Sequence, residues 1–181
     1  MTAGLVVNFW AAPSTGKSTM AAGLFYRLKK QGVNCEIVPE YAKDMVWAGR
    51  QHEMGDQLYI LAKQRAKIDR LARQCDVVIS DSPLLMSSIY SSHYPPCFHE
   101  LLEWTWEQYN NLSFLLEREH AYDPIGRNQT EEEAAEIHKQ IKLLLVDKQV
   151  PYTKLVANDA GLDLAEAMVM GTMRNYYGVY S

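Results

Sequence analysis

Nine residues near the start of the chain, Ala11-Ala12-Pro13-Ser14-Thr15-Gly16-Lys17-Ser18-Thr19, constrain the fold more than any other stretch. They follow a short apolar run, Leu5 to Trp10, that reads as a buried strand. They precede a helical pattern, Thr19 to Gln31, with Met20, Leu24 and Leu28 on one side and Gly32 just past its end. The segment fits the pattern G-x-x-x-x-G-K-[ST] at every defined place except the first, where Ala11 stands for Gly. A loop of this kind turns consecutive backbone N–H groups inward, and the helix N-terminus adds its dipole. Ala12 through Thr19 are therefore the candidate cradle for the phosphates of ATP. Gly16 allows close approach of phosphate oxygens, Lys17 places a charge on the β- and γ-phosphates, and the Ser18 hydroxyl is a ligand for Mg²⁺. A chance Gly/Ser turn before a lysine is the plain alternative. The position of this one, between a strand and a helix, argues against it.

Downstream, apolar runs alternate with helical patterns. Strands are expected at Cys35–Pro39, Asp76–Ser80, Leu112–Leu116 and Tyr152–Ala157. Helices are expected at Tyr41–Gly49, Asp56–Gln74, Glu100–Tyr109, Thr130–Asp147 and Leu162–Tyr177. In the long helix Asp56–Gln74, Leu58, Leu61, Ile68, Leu71 and Cys75 should share the apolar face. Thr130 followed three residues later by Glu133 has the capping-box spacing. Strands separated by helices imply βαβ units: an α/β, three-layer P-loop fold, a five-stranded parallel sheet with helices on both faces. Residues 1–181 fit a single domain with a small lid at about 118–130. Such sheets bind ligands at the carboxyl ends of their strands, so the site is sought there.

Composition narrows the class further. Eighteen Lys+Arg against 22 Asp+Glu give a net charge of −4, which argues against coating nucleic acid by bulk positive charge. Cys35, Cys75 and Cys97 are an odd, widely spaced set, which suits a reducing compartment and a cytoplasmic location. No run approaches the roughly 20 apolar residues of a membrane span, and the unflanked apolar start makes a poor signal peptide.

The run Val77-Val78-Ile79-Ser80-Asp81 has the form of a Walker B strand, and Asp81 at its end would hold Mg²⁺ or face an acceptor. An N-cap before Ser82-Pro83 is the plain alternative. Binding ATP fits a kinase, an ATP-driven machine or a switch, and 181 residues leave no space for the added modules of a machine. A kinase needs a lid that brings cations onto the transferring phosphate. Arg118 and Arg127, in the segment Arg118 to Gln129, are the candidates. It also needs an acceptor pocket. Glu40, at the end of a strand, would take a proton from an acceptor hydroxyl. Tyr41 and Trp47 offer faces for a planar ring, Lys43 and Asp44 lie between them, and Gln57 and Gln64 fall on one side of the long helix, where an amide reads a base.

These residues carry a resemblance. The Gly16-Lys17-Ser18-Thr19 loop, the run Val38-Pro39-Glu40-Tyr41-Ala42-Lys43-Asp44, the Gln-bearing helix, the Asp81 strand and the segment Asp123-Pro124-Ile125-Gly126-Arg127 resemble the nicotinamide riboside kinase-like group of P-loop nucleoside and nucleotide kinases. The chain looks most like small kinase-like proteins of tailed phages, some of which phosphorylate 5-hydroxymethyluracil in DNA. The resemblance implies transfer of the ATP γ-phosphate, with Mg²⁺, to a hydroxyl of a nucleoside, a nucleotide or a hydroxymethylated pyrimidine in phage DNA, in the host cytoplasm. A P-loop ATPase or nucleotide switch with a protein partner is the competing class.

The DNA acceptor requires a basic face beside the ATP site, and Lys63, Arg65, Lys67, Arg70 and Arg73, opposed only by Asp69, are its candidate. A solvated helix face is the ordinary meaning of such a stripe. His93, Cys97 and His99 have no standard zinc spacing. Tyr90, Tyr94, Pro95, Pro96, Trp104 and Trp106 are expected in an acceptor lid, a homodimer surface or the core, and the aromatic tail from Asn175 to Tyr180 on a neighbour.

Overall fold

The computed structural model describes residues 4–119, 121–122 and 130–177. Five strands, β1 Leu5–Trp10, β2 Cys35–Val38, β3 Val77–Ser80, β4 Asn110–Glu117 and β5 Thr153–Val156, form one sheet in the order β2-β3-β1-β4-β5, with every pairing parallel. Among the described residues, six helices connect and flank them: α1 Lys17–Lys30, α2 Tyr41–Trp47, α3 Gln57–Ala72, α4 Pro96–Glu107, α5 Glu131–Asp147 and α6 Asp159–Tyr177. Both faces of the sheet are covered. Leu5, Val7 and Phe9 of β1 pack with α1 and α6, whereas Val6 and Trp10 pack with α3, α4 and α5. Successive strand residues point to opposite faces, and both faces here are buried, so β1 is apolar almost throughout. This is the expected three-layer α/β architecture. Among the described residues, no helix is long and apolar enough to cross a membrane.

The expected elements appear with ends shifted by a few residues. Two segments were not expected: short 3-10 turns at Gln51–Glu53 and Leu84–Tyr90. The buried face of α3 also differs. Leu58 is 51% exposed, and the buried positions are Gln57, Ile60, Leu61, Gln64, Ile68 and Ala72. Leu61 and Ile68 are buried and Leu71 and Cys75 pack against the core as expected, but apolar periodicity included Leu58 and missed Gln57 and Gln64, because these two buried members are amides.

At the start of α5, the Thr130 side chain accepts from Glu133 N, and the Glu133 carboxylate accepts from Thr130 N at 2.7 Å. Thr130→Ala should therefore cost about 1 kcal/mol, lowering the melting temperature by roughly 2–4 °C in a domain of this size. A thermal melt checks this, and an unchanged midpoint would show the cap to be silent.

Candidate active site

The strand registers converge on one edge of the sheet. Val38 of β2 lies beside Ser80 of β3, and Ser80 beside Asn8 of β1. Parallel strands about 4.8 Å apart therefore deliver Glu40, Asp81 and the loop after Trp10 to the same place. A cavity of about 540 Å³ opens there. Its floor is the loop Ala11–Thr19, and its far wall carries Glu40, Lys43, Gln57, Ile60, Met86 and Tyr90. The crevice at the carboxyl ends of the strands is where an open parallel sheet binds its ligand.

The loop is locally pinned. Thr15 Oγ1 donates to Ala12 O at 3.0 Å, and Lys17 Nζ donates to Ala11 O at 2.8 Å and Ala12 O at 3.0 Å. Gly16 caps α1 at φ +97°, a left-handed conformation that side chains rarely adopt. A Cβ there would lie 3.2 Å from Ala157 Cβ, so the segment after β5 closes against the loop. Thus Ala11 in place of Gly leaves the turn to Gly16, where the positive φ is needed.

Ser18 Oγ donates to Asp81 Oδ2 at 2.9 Å. The other carboxylate oxygen, Asp81 Oδ1, is buried and has no hydrogen-bond partner among the described residues. An unpartnered buried carboxylate oxygen is costly. A hydroxyl and a carboxylate are hard oxygen donors of the kind Mg²⁺ takes, so this pair fits that ion.

Glu40 stands at the N-cap of α2, yet its side chain makes no capping hydrogen bond. Its carboxylate instead lines the cavity. Tyr90 lies on the same wall, and its phenol is pushed up to about 12, first by burial and then by the negative charge of Glu40. It therefore stays a hydrogen-bond donor across the physiological range. Gln57 is held from two sides: its backbone N–H donates to the Tyr94 hydroxyl at 3.0 Å, and its Nε2 donates to Met54 O at 2.8 Å. The second bond fixes which end of the amide is which.

The remaining expected residues are placed differently. Gln64 is buried, accepting from Tyr41 N at 3.0 Å and donating to Ser82 O at 3.5 Å, so it clips α2 and the β3 end to α3 and does not line the cavity. Gln64→Leu should cost about 1–3 kcal/mol, because Tyr41 N loses its partner. A denaturation curve checks this; an altered acceptor preference at unchanged stability would restore a base-reading role. Tyr41 is turned onto Tyr59, hydroxyl to hydroxyl at 3.0 Å, and Trp47 is 76% exposed. Neither lines the cavity. Short polar α2 buries only Met45, which leaves Trp47 outside both the core and the site.

Arg118 lies beyond β4, with Nη1 3.3 Å from Glu131 Oε1 and its guanidinium 5.2 Å from the Tyr122 ring centre, and it does not line the cavity. Arg127 and the rest of the segment 123–129 lie outside the described residues, as do His120 and the tail residues 178–181.

None of the basic side chains of the α3 stripe lines the cavity. The helix enters the cavity at its N-terminal end, through Gln57 and Ile60. At about 1.5 Å per residue, Arg70 and Arg73 lie roughly 20 and 24 Å further along the axis. Lys67 is paired with Asp44 at 2.7 Å, and Arg65 with Asp69 at 3.3 Å. The described residues contain no group of three His, Cys, Asp or Glu arranged for a metal. Trp106 packs edge-on against Trp10 in the core.

Residues 82–95, which carried no expected element, supply Ser82, Met86, Ser87 and Tyr90 to the cavity. The only signal for them was the Ser82-Pro83 turn directly after Asp81.

Comparison with known proteins agrees with this architecture. Thymidylate kinase from Ehrlichia chaffeensis superposes with a TM-score of 0.59 at 12% identity, covering 94% of this chain and 99% of that one, which establishes a shared fold. No curated protein sequence matches the chain. A family model described as AAA domain matches residues 6–160, from β1 through the P-loop and into α6. By that match and by the loop that opens its first helix, the chain belongs to the AAA domain family of P-loop proteins.

Proposed function

We propose that the protein is a Mg·ATP-dependent kinase that transfers the γ-phosphate to a hydroxyl of a nucleoside-type acceptor. The observation that carries this reading is that one cavity joins the P-loop to a second wall bearing a carboxylate not spent on capping, Glu40. A nucleotide switch has no need of such a wall. The thymidylate kinase likeness and the resemblance to nicotinamide riboside kinase-like and phage kinases support the same class.

Lys17 and the loop amides hold the phosphates. Ser18 and Asp81 would hold Mg²⁺, which when bound supplies neutralisation of phosphate charge. Asp81 is already committed to Ser18, so Glu40 is the better base. It takes the proton of the acceptor hydroxyl while that oxygen forms the new bond to phosphorus, the bond to the bridging oxygen breaks and ADP leaves. Gln57, its Nε2 spent on Met54 O, turns its amide oxygen to an N–H of the acceptor. Arg127 and Arg118 are the lid cations in this reading, Arg118 after leaving Glu131.

The test is transfer of radiolabelled γ-phosphate to a panel of nicotinamide riboside, nucleosides, nucleoside monophosphates and duplex DNA with and without hydroxymethyluracil. Label on a member of the panel is expected. Phosphate released to water with no acceptor labelled would favour the switch with a protein partner.

A further inference from the structure

Resting on the kinase reading above, we infer that Lys43 binds a phosphate group carried by the acceptor itself, so that the acceptor is a nucleotide rather than a neutral nucleoside. Among the described residues, four charged side chains line the cavity: Lys17, Glu40, Lys43 and Asp81. Three have work. Lys17 belongs to the P-loop, Asp81 is bonded to Ser18, and Glu40 faces the acceptor hydroxyl. Lys43 makes no hydrogen bond or ion pair among the described residues, although it is half-buried. Asp44, the next residue, is committed to Lys67.

A cation drawn partly out of water is stabilised by an anion. No carboxylate among the described residues lies within ion-pairing distance of it, so the anion is a ligand's. The position suits an acceptor phosphate. Lys43 is three residues after Glu40, one helical turn along the same wall. A nucleotide carries a hydroxyl and a phosphate on one sugar, and the two meet Glu40 and Lys43 respectively. Lys43 also offsets the repulsion that Glu40 and the ATP phosphates exert on an anionic acceptor. The remaining wall, Ile60 and Met86 with Gln57, presents the apolar faces and single amide that a heterocycle needs.

The same phosphate chemistry exists as a monoester on a free nucleotide and as a diester within a strand, and one titration separates them. The full chain, its P-loop filled with Mg²⁺ and a non-hydrolysable ATP analogue, is titrated with the four 2′-deoxynucleosides, their 5′-monophosphates and the matching dinucleoside monophosphates. The wild type should bind at least one phosphorylated probe about 10- to 100-fold more tightly than its nucleoside, the effect of one charge-assisted hydrogen bond. Added salt should shrink that preference. Lys43→Ala should abolish it while leaving affinity for the nucleoside and for the ATP analogue unchanged, and Lys43→Arg should restore part of it. Tighter binding of the monophosphate marks a free nucleotide, and tighter binding of the dinucleotide marks a strand. The inference is overturned if no phosphorylated probe outbinds its nucleoside, if Lys43→Ala keeps the preference, or if that variant loses the ATP analogue as well. Binding is read without turnover. An unlabelled acceptor panel therefore sinks the kinase reading, while this titration separately decides the role of Lys43.

Discussion

Lys17→Ala should lower γ-phosphate transfer by at least about 10²–10³-fold, the loss typical of removing one preorganised donor from developing charge. The ammonium sits on the first residue of α1 and is bonded to Ala11 O and Ala12 O, so it is held over the loop that receives phosphate. Removing it takes away two hydrogen bonds of a partly exposed side chain, each worth about 1 kcal/mol net. The fold rests elsewhere, on the buried rows of β1 and on Met20, Leu24 and Leu28 of α1. Melting should therefore fall by only a few degrees while transfer collapses. Initial rates on the labelled panel, read beside a thermal melt, check this. Transfer retained at the wild-type rate would remove the P-loop from the mechanism. A collapse of both rate and melting point would instead assign Lys17 to the fold.

Glu40→Gln should slow transfer by about 10²–10⁴-fold, the range that a positioned general base contributes. The substitution keeps the size of the side chain and the extended backbone at φ −60°, ψ 121°, and Glu40 makes no capping bond that α2 would miss. Stability should hold, so the rate is the clean readout. Neighbouring Tyr90 gives a second one. Its phenol is raised first by burial and then by the Glu40 charge, so removing that charge should lower its titration midpoint from about 12. Ultraviolet difference titration measures that shift. If Glu40→Gln keeps its rate and Asp81→Asn loses it, the base is Asp81 and the Glu40 assignment fails.

Much of the fold was legible because its signals are local. The runs Leu5 to Trp10 and Val77 to Ser80 are short, uncharged and separated by helical periodicity, which is what strands buried on both faces require. Thr130 and Glu133 lie three apart, so their reciprocal cap is written in sequence. Gly16-Lys17-Ser18 is equally local. It must follow a strand and open a helix, and it does.

The acceptor wall was less legible. Trp47 and Tyr41 have the right chemistry for stacking, but a side chain's direction depends on how α2 packs on α3, and that packing turns Tyr41 to Tyr59 and Trp47 to solvent. Gln57 and Gln64 share a face, yet one lines the cavity and the other is consumed by Tyr41 N and Ser82 O. The spacing of seven residues cannot separate them, because the difference lies in which backbone atoms stand opposite. The stripe from Lys63 to Arg73 reads as a continuous basic face until the helix axis shows how far its end lies from the loop.

The sequence by itself therefore determined the P-loop, the parallel sheet and the helix order, since each depends on neighbours within a turn or on the alternation of apolar runs. Only the tertiary structure decided the rest. Strand order set Glu40, Asp81 and Lys17 around one cavity, because parallel registers bring β2, β3 and β1 to a common edge. It also brought Tyr90 and Met86 into that cavity from a segment without a periodic signal, and left Lys43 as the cation there without a protein partner among the described residues. Contacts between residues 20 to 60 positions apart have no local signature, and the wall proposed for the acceptor is built from such contacts.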